Sequence, residues 1–212
     1  LLEERKNAWE QNKKSLNYAN RDYFSLKSIE NALEILSNHK IDINLDFIIG
    51  LLYSDPKEEI KKLDYILSKN YNITHLSFYE LTISENSYWG RVEKIKINEK
   101  KIIKYENLLK ELLAKYDFIR YEISNYSKKE KQCQHNLAYW KYKDFLGLGP
   151  SAHSKIGNIR IENASNLEFY INNNYKNIIT LNKIDILKEF FLMSLRLTDG
   201  INISEFINRF DL

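Results

Sequence analysis

The chain has 212 residues with a net charge of +3, from 32 basic and 29 acidic side chains, and it contains one cysteine. One cysteine excludes a disulfide framework and zinc sites of four cysteines or of two cysteines and two histidines. It also falls short of the three or four thiolates that an iron–sulfur cluster usually needs. The interspersed, nearly balanced charges do not favour nucleic acid, and no apolar run approaches the about 18 residues of a membrane span. We therefore predict a soluble, cytoplasmic protein without a transmembrane segment.

Helices and strands alternate along the first part of the chain. In chain order we predict helix 25–39, strand 41–49, a helix that begins at Pro56, strand 75–81, a helix that begins after Asn98, and strand 118–124. Alternation with short links is typical of parallel α/β folds, in which ligands gather at the carboxyl ends of the strands. After Asn125 this rhythm stops, residues 126–160 read as loop-like, and the pattern turns helical from Asn163 onward.

The rare residue types concentrate in the stretch 133–153, which holds the single cysteine and two of the four histidines. Functional residues often lie on loops held by a rigid scaffold. Gly147 and Gly149 could bring the backbone close to a ligand, although an ordinary tight turn is the commoner reason for such a pair. Tyr139 and Trp140 could form a stacking surface, but aromatic packing is again the commoner explanation.

The spacing of the cysteine and the histidines in this stretch gives only weak support to a metal site. Cys133, His135 and His153 match the usual zinc spacings poorly, whereas haem ligation requires only one histidine or thiolate. No Gly-x-Ser-x-Gly, Gly-x-Gly-x-x-Gly or P-loop pattern follows a predicted strand. The sequence therefore gives little support to a serine hydrolase, a dinucleotide-binding protein or an NTPase.

Three segments together carry a family resemblance. They are residues 120–126 (Arg-Tyr-Glu-Ile-Ser-Asn-Tyr), 133–140 (Cys-Gln-His-Asn-Leu-Ala-Tyr-Trp) and 146–154 (Leu-Gly-Leu-Gly-Pro-Ser-Ala-His-Ser). They resemble the central signature of the HemW-type haem chaperones, which are radical S-adenosylmethionine (SAM) proteins related to oxygen-independent coproporphyrinogen III oxidase. Residues 46–51, 77–83 and 191–200 extend the likeness, which runs from about residue 20 to the last residue.

The resemblance implies a fold and a domain organisation. Residues 1–160 are expected to form the second half of a partial (β/α)6 radical-SAM barrel with parallel strands. Residues 161–212 are expected to begin a helical, winged-helix-like C-terminal region. The family's three closely spaced cluster cysteines have no counterpart here. We therefore expect a fragment of a longer parent, with the [4Fe–4S] cluster in the parent and not in this chain.

The resemblance also implies two sets of site residues. Those expected at SAM are Arg21, Asp46, Ile48, Thr82, Gly147, Gly149 and His153. Those expected at haem are His135, the best potential iron ligand, with Asn136, Tyr139 and Trp140. No catalytic residue and no further metal site is assigned.

The function implied is the binding of haem and its transfer to respiratory haemoproteins. This chain alone is expected to lack radical chemistry, because it cannot hold the cluster. Two alternatives stay open: a parent that is an oxygen-independent coproporphyrinogen III oxidase of porphyrin biosynthesis, or an inactive gene remnant. A remnant with half a barrel would expose an edge strand and apolar faces and would aggregate.

Overall fold

The structure, a computed structural model, describes residues 26–93, 96–172 and 175–211. Within them the chain forms two compact units. The first contains the described residues up to Arg120 together with Ser124–Lys131, and the second contains Tyr121–Ile123 together with the described residues from Gln132 onward.

The first unit is a four-stranded sheet with three main helices. Its elements are α1 (Leu26–Asn38), β1 (Ile43–Ile49), α2 (Pro56–Leu67), β2 (Ile73–Glu80), a π-helical turn (Trp89–Glu93), α3 (Glu99–Lys115), β3 (Ile119–Arg120) and β4 (Asn125–Ser127). The predicted helix starts are confirmed, because Asp55 accepts from the amides of Lys57 and Glu58, and Asn98 accepts from that of Lys101. These oxygens satisfy amide donors that the first helical turn leaves without partners.

The two faces of this sheet differ in chemistry. Strands β1 and β2 run parallel, with Leu45 beside Leu76 and Phe47 beside Phe78, and the two phenyl rings stack at 4.9 Å. This apolar face packs with buried side chains of the helices, such as Leu63 of α2, into the core of the unit. Because side chains alternate along a strand, the intervening residues lie on the opposite, polar face.

The prediction of parallel strands throughout is wrong. The sheet has the order β1-β2-β4-β3, and only β1 and β2 are parallel, while β4 pairs antiparallel with both β2 and β3. The predicted strand 118–124 is interrupted, because Tyr121–Ile123 leaves the sheet and belongs to the second unit. There the Tyr121 carbonyl accepts a hydrogen bond from the amide of Thr198, and Glu122 forms an isolated antiparallel β-bridge with Leu197. The chain thus reverses direction before β4, and the sheet is mixed.

The second unit combines a three-stranded antiparallel sheet with helices. Its elements are α4 (Gln134–Trp140), β5 (His153–Ile156), β6 (Ile159–Asn163), α5 (Leu167–Ile171), β7 (Tyr175–Thr180), α6 (Lys183–Ser194) and α7 (Ile203–Phe210). The sheet has the order β5-β6-β7. Residues 126–160, expected to be loop-like, therefore contain a helix and residues of three strands, β4, β5 and β6. The part from residue 161 onward contains the end of β6 and all of β7 besides helices.

An aromatic cluster fixes the helices of the second unit. The ring of Phe190 on α6 lies 5.5 Å from that of Phe206 and 5.2 Å from that of Phe210, both on α7. It also meets Tyr142 edge-to-face at 6.2 Å. Such offset and edge-to-face pairs stabilise beyond the area they bury. Among the described helices, none combines the length and apolar character needed to cross a bilayer.

Candidate functional site

The polar face of the first sheet carries two of the residues predicted at SAM. Asp46 and Ile48 are exposed on β1, and the Asp46 carboxylate accepts a hydrogen bond of 2.9 Å from the Asn44 amide. Thr82 follows the end of β2 and donates to the Glu80 carbonyl at 3.4 Å. Ile48 and Thr82 therefore lie at the carboxyl ends of the parallel pair, whereas Asp46 is the central residue of β1. Arg21 lies outside the described residues.

A network beside Asp46 was not predicted from the sequence. The Oδ1 atom of Asn44 lies 2.7 Å from Nδ1 of buried His75 and also accepts from the Ser77 hydroxyl at 3.4 Å. With the Asn44 amide donating to Asp46, this geometry assigns the imidazole hydrogen to Nδ1. Asn44 thus orients the Asp46 carboxylate and is itself held by β2. The sequence signal was available in the alternate positions 44, 46, 75 and 77 of the two strands.

The glycine loop of the second unit is held by three side chains. Asn163, which is buried, donates from its side-chain amide to the carbonyls of Gly147 at 3.1 Å and Gly149 at 3.0 Å. The Gly147 amide donates to the Ser154 hydroxyl at 2.9 Å, and the Gly149 amide donates to the Tyr170 hydroxyl at 3.0 Å. The loop is therefore a fixed structure rather than an open turn, and its supports Asn163 and Tyr170 carried no recognisable signal in the sequence.

Gly147 requires its lack of a side chain. A Cβ atom built at this position would lie 2.2 Å from the backbone oxygen of His153, so the structure brings these two predicted residues together. Gly149 has φ +103°, which L-residues with a side chain rarely adopt. His153 is exposed at the start of β5 and pairs across the sheet with Glu162. The pKa of Glu162 lies below its ordinary value, chiefly because Lys176 bonds to it and to a smaller extent because His153 is near.

Helix α4 places the predicted haem residues on two of its three faces. With about 3.6 residues per turn, residues four apart share a face. His135 and Tyr139 form one such pair, with their rings edge-to-face at 4.9 Å, and Tyr139 meets Phe145 at 4.6 Å. His135 is exposed, and no described residue hydrogen-bonds to its ring nitrogens.

The second face of α4 carries Asn136 and Trp140. The Asn136 side chain is in hydrogen-bond contact with the hydroxyl of Tyr121, whose pKa is raised to about 12, chiefly by burial. The Trp140 ring lies under the guanidinium of Arg196 at 4.5 Å. The four predicted residues thus divide into exposed His135 with half-buried Tyr139, and a half-buried pair that contacts Tyr121 and Arg196.

The third face of α4 lines a cavity of about 660 Å³ within the second unit. Its wall includes Gln134, Leu137 and Lys141 of this face together with Phe190 and Arg209. None of the four predicted haem residues lines it. Within the described residues, no cluster of three or more histidine, cysteine or acidic side chains has the arrangement of a metal site.

Comparisons with known proteins agree on one family. Residues 181–212 match the HemN C-terminal domain. The chain is 34% identical over 178 residues to a protein named heme chaperone HemW from Buchnera aphidicola subsp. Schizaphis graminum, covering 79% of this chain and 46% of that protein. It is 34% identical over 197 residues to the protein of the same name from Buchnera aphidicola subsp. Acyrthosiphon pisum, covering 88% and 50%.

A solved structure shows the same fold. Coproporphyrinogen III oxidase (HemN) from Escherichia coli, described as a radical SAM enzyme, superposes with a TM-score of 0.75 at 18% identity, over 95% of this chain and 51% of that one. The chain spans about half the length of the curated relatives named above. With the α/β fold of HemN and relatives named HemW in several species, the chain is a homologue of the HemW haem chaperones.

Proposed function

We propose that this chain supplies the haem-binding part of a HemW-like protein that passes haem to respiratory haemoproteins. The observation that supports this most directly is the exposed imidazole of His135, held edge-to-face against Tyr139 at 4.9 Å. Its ring nitrogens bond to no described residue, so one of them is available to an iron. The names of the relatives support the same ligand.

The residues of α4 fit a haem group. Haem would supply an iron that takes a protein ligand, and a single imidazole would be sufficient for that role. The Tyr139 ring restricts the orientation of the His135 imidazole and offers an aromatic surface beside it. Because His135 lies at the start of a regular helix, its backbone is fixed before a ligand arrives.

We further propose that Asp46, Ile48 and Thr82 contact SAM, on a sheet that is part of a (β/α)6 barrel. The Asp46 carboxylate, oriented by Asn44, can accept from a hydroxyl or amino group of the cofactor. Gly147, Gly149 and His153 stay assigned to SAM by resemblance. Radical chemistry with SAM would need an iron–sulfur cluster as the electron donor, and Cys133 is the single cysteine of the 212 residues. We propose that the chain by itself performs no radical chemistry.

Haem titration of the 212-residue chain tests the first proposal. A shift of the haem Soret band should saturate at one haem per chain, and His135→Ala should weaken binding by about tenfold or more, which corresponds to at least ~1.4 kcal/mol. His39→Ala, which removes an exposed histidine just after α1, is the matched control. Equal binding by both variants would refute His135 as the ligand, and failure of the unaltered chain to bind would refute haem binding itself.

The fold of HemN and the match of residues 181–212 to its C-terminal domain favour a second candidate, a coproporphyrinogen III oxidase. The segment from His135 to Trp140 and the HemW relatives count against it. Anaerobic treatment of the chain with iron and sulfide, followed by SAM, a reductant and coproporphyrinogen III, should give neither cluster absorbance nor vinyl-containing product. Stoichiometric product would support the oxidase and overturn the proposed lack of radical chemistry.

A further inference from the structure

Arg196 differs from the other arginines of the second unit. Arg160 donates three hydrogen bonds to the carboxylate of Glu189, and Arg209 donates to the backbone carbonyls of Lys141 and Tyr142. Among the described residues, no hydrogen bond or ion pair involves the guanidinium of half-buried Arg196. Its contact is with the ring of Trp140 at 4.5 Å.

Two buried donors meet at this stack. The Nε atom of Arg196 and the Nε1 atom of Trp140 are both buried, and neither finds an acceptor among the described residues. Buried N–H groups are nearly always paired, and each one left unpaired lowers the stability of the fold. The guanidinium carbon of Arg196 lies 4.5 Å from the centre of the Trp140 ring, so the two donors belong to one stacked pair of side chains. The pair therefore needs an acceptor that the described residues do not provide.

We propose that Trp140 and Arg196 form a carboxylate-binding subsite of the second unit. A carboxylate supplies a negative charge for the guanidinium and two oxygen atoms, so that it can accept from both residues at once. Both donor atoms are buried, and a local dielectric below that of water strengthens such a bond. This inference rests on the proposed function for its ligands, because haem carries propionate carboxylates and SAM carries an α-carboxylate. The shared chemistry is the carboxylate, and the experiment below distinguishes the two sources.

The test compares each ligand with its ester, which has the same body but no carboxylate. Haem and haem dimethyl ester are titrated into the unaltered chain, and SAM and its carboxyl methyl ester are titrated by calorimetry. For the ligand that uses the subsite, we expect the acid to bind about 10- to 100-fold more tightly than the ester, the range for hydrogen bonds to a charged group. The other ligand should show little preference for its acid.

Variants assign that preference to residues. Arg196→Gln should reduce the preference to a few-fold while leaving the affinity of the ester unchanged. Trp140→Phe keeps a ring for the stack but removes the N–H, and it should reduce the preference by about threefold to tenfold. Arg196→Lys keeps the charge but loses the planar guanidinium that can bind a carboxylate through two N–H groups. Its preference for the acid should lie between those of the unaltered chain and Arg196→Gln. Arg91→Gln, at an exposed arginine of the first unit, should change nothing.

The outcomes separate this proposal from the one on which it rests. If neither acid binds more tightly than its ester, or if the preference survives both Arg196→Gln and Trp140→Phe, the subsite is refuted and ordered water satisfies the donors. If Arg196→Gln does not fold, Trp140→Phe and Arg196→Lys decide. If the unaltered chain binds no haem, the proposed function fails, while the SAM pair still tests the subsite.

Discussion

The side-chain amide of Asn163 should determine whether the glycine loop forms. Asn163→Ala removes the two hydrogen bonds to the carbonyls of Gly147 and Gly149, of 3.1 and 3.0 Å. Since each hydrogen bond contributes about 1 kcal/mol net, the free energy of unfolding should fall by about 2 kcal/mol. Because Asn163 is only 5% exposed, its truncation also leaves a small void, which raises the expected cost to about 2–3 kcal/mol.

Asn163→Asp sharpens this prediction because it keeps the shape and reverses the polarity. An ionised carboxylate would face two carbonyl oxygens and donate to neither, so at pH 7 this variant should be less stable than Asn163→Ala. Burial beside acceptors raises the pKa of the new carboxyl in the folded state. The variant should therefore recover stability as the pH falls towards the ordinary value of ~3.9, where the protonated group can donate to one carbonyl.

Urea unfolding followed through NMR signals of the second unit measures both effects, with Asn158→Asp as the exposed control on the turn between β5 and β6. Resolving the unit by itself matters because two units need not unfold together. The reasoning is refuted if the free energy of unfolding of Asn163→Ala lies within about 0.5 kcal/mol of that of the unaltered chain. It is also refuted if Asn163→Asp is as stable as the unaltered chain at pH 7.

Three further predictions concern other positions. Gly147→Ala should lower the free energy of unfolding by about 3 kcal/mol or more, because the new Cβ would lie 2.2 Å from the His153 backbone oxygen. The loss is measured as a lowered melting temperature by circular dichroism. A loss below ~1 kcal/mol would contradict the loop geometry. Burial raises the pKa of Glu59 from 4.5 to about 7, so the stability that its protonated form provides is present below pH 4.5 and is lost as the pH rises through 7. Glu59→Gln should flatten that profile in urea unfolding between these pH values, and an unchanged slope would refute the assignment. Tyr142 donates to Glu189 at 2.7 Å, and a double-mutant cycle of Tyr142→Phe with Glu189→Gln should give a coupling of about 1–2 kcal/mol; additive effects would show that the bond contributes nothing.

Much of the first unit followed from local patterns in the sequence. The spacing of apolar residues predicted α1 and α3, and the Asp55-Pro56 pair predicted the start of α2, because both reflect forces within one or two helical turns. The direction of β4 did not follow, since alternation of side chains is the same in parallel and antiparallel strands. What reverses the chain is the departure of Tyr121–Ile123 into the second unit, where it meets residues more than 70 positions away.

The candidate site was predictable only where its residues are neighbours in the sequence. The pairing of His135 with Tyr139 follows from helical spacing, and the closeness of Gly147 to His153 follows from a short loop. Asn163 supports that loop from the end of β6, and Arg196 reaches Trp140 from beyond α6. Such contacts depend on how separate elements pack, and one sequence contains no pattern that reports it.

The three faces of α4 have a consequence for how this stretch tolerates change. A helix of seven residues offers two turns. Here Gln134 and Leu137 line a cavity, the Tyr139 ring packs against exposed His135, and Asn136 and Trp140 contact specific partners. Ala138 is then the one residue of α4 without such a task among the described contacts. Nearly every residue of this helix makes a specific contact, so few of its positions should accept substitution. A segment in which nearly every residue is constrained can be recognised in a single sequence. Strand β7, with all six residues exposed, has no such pattern.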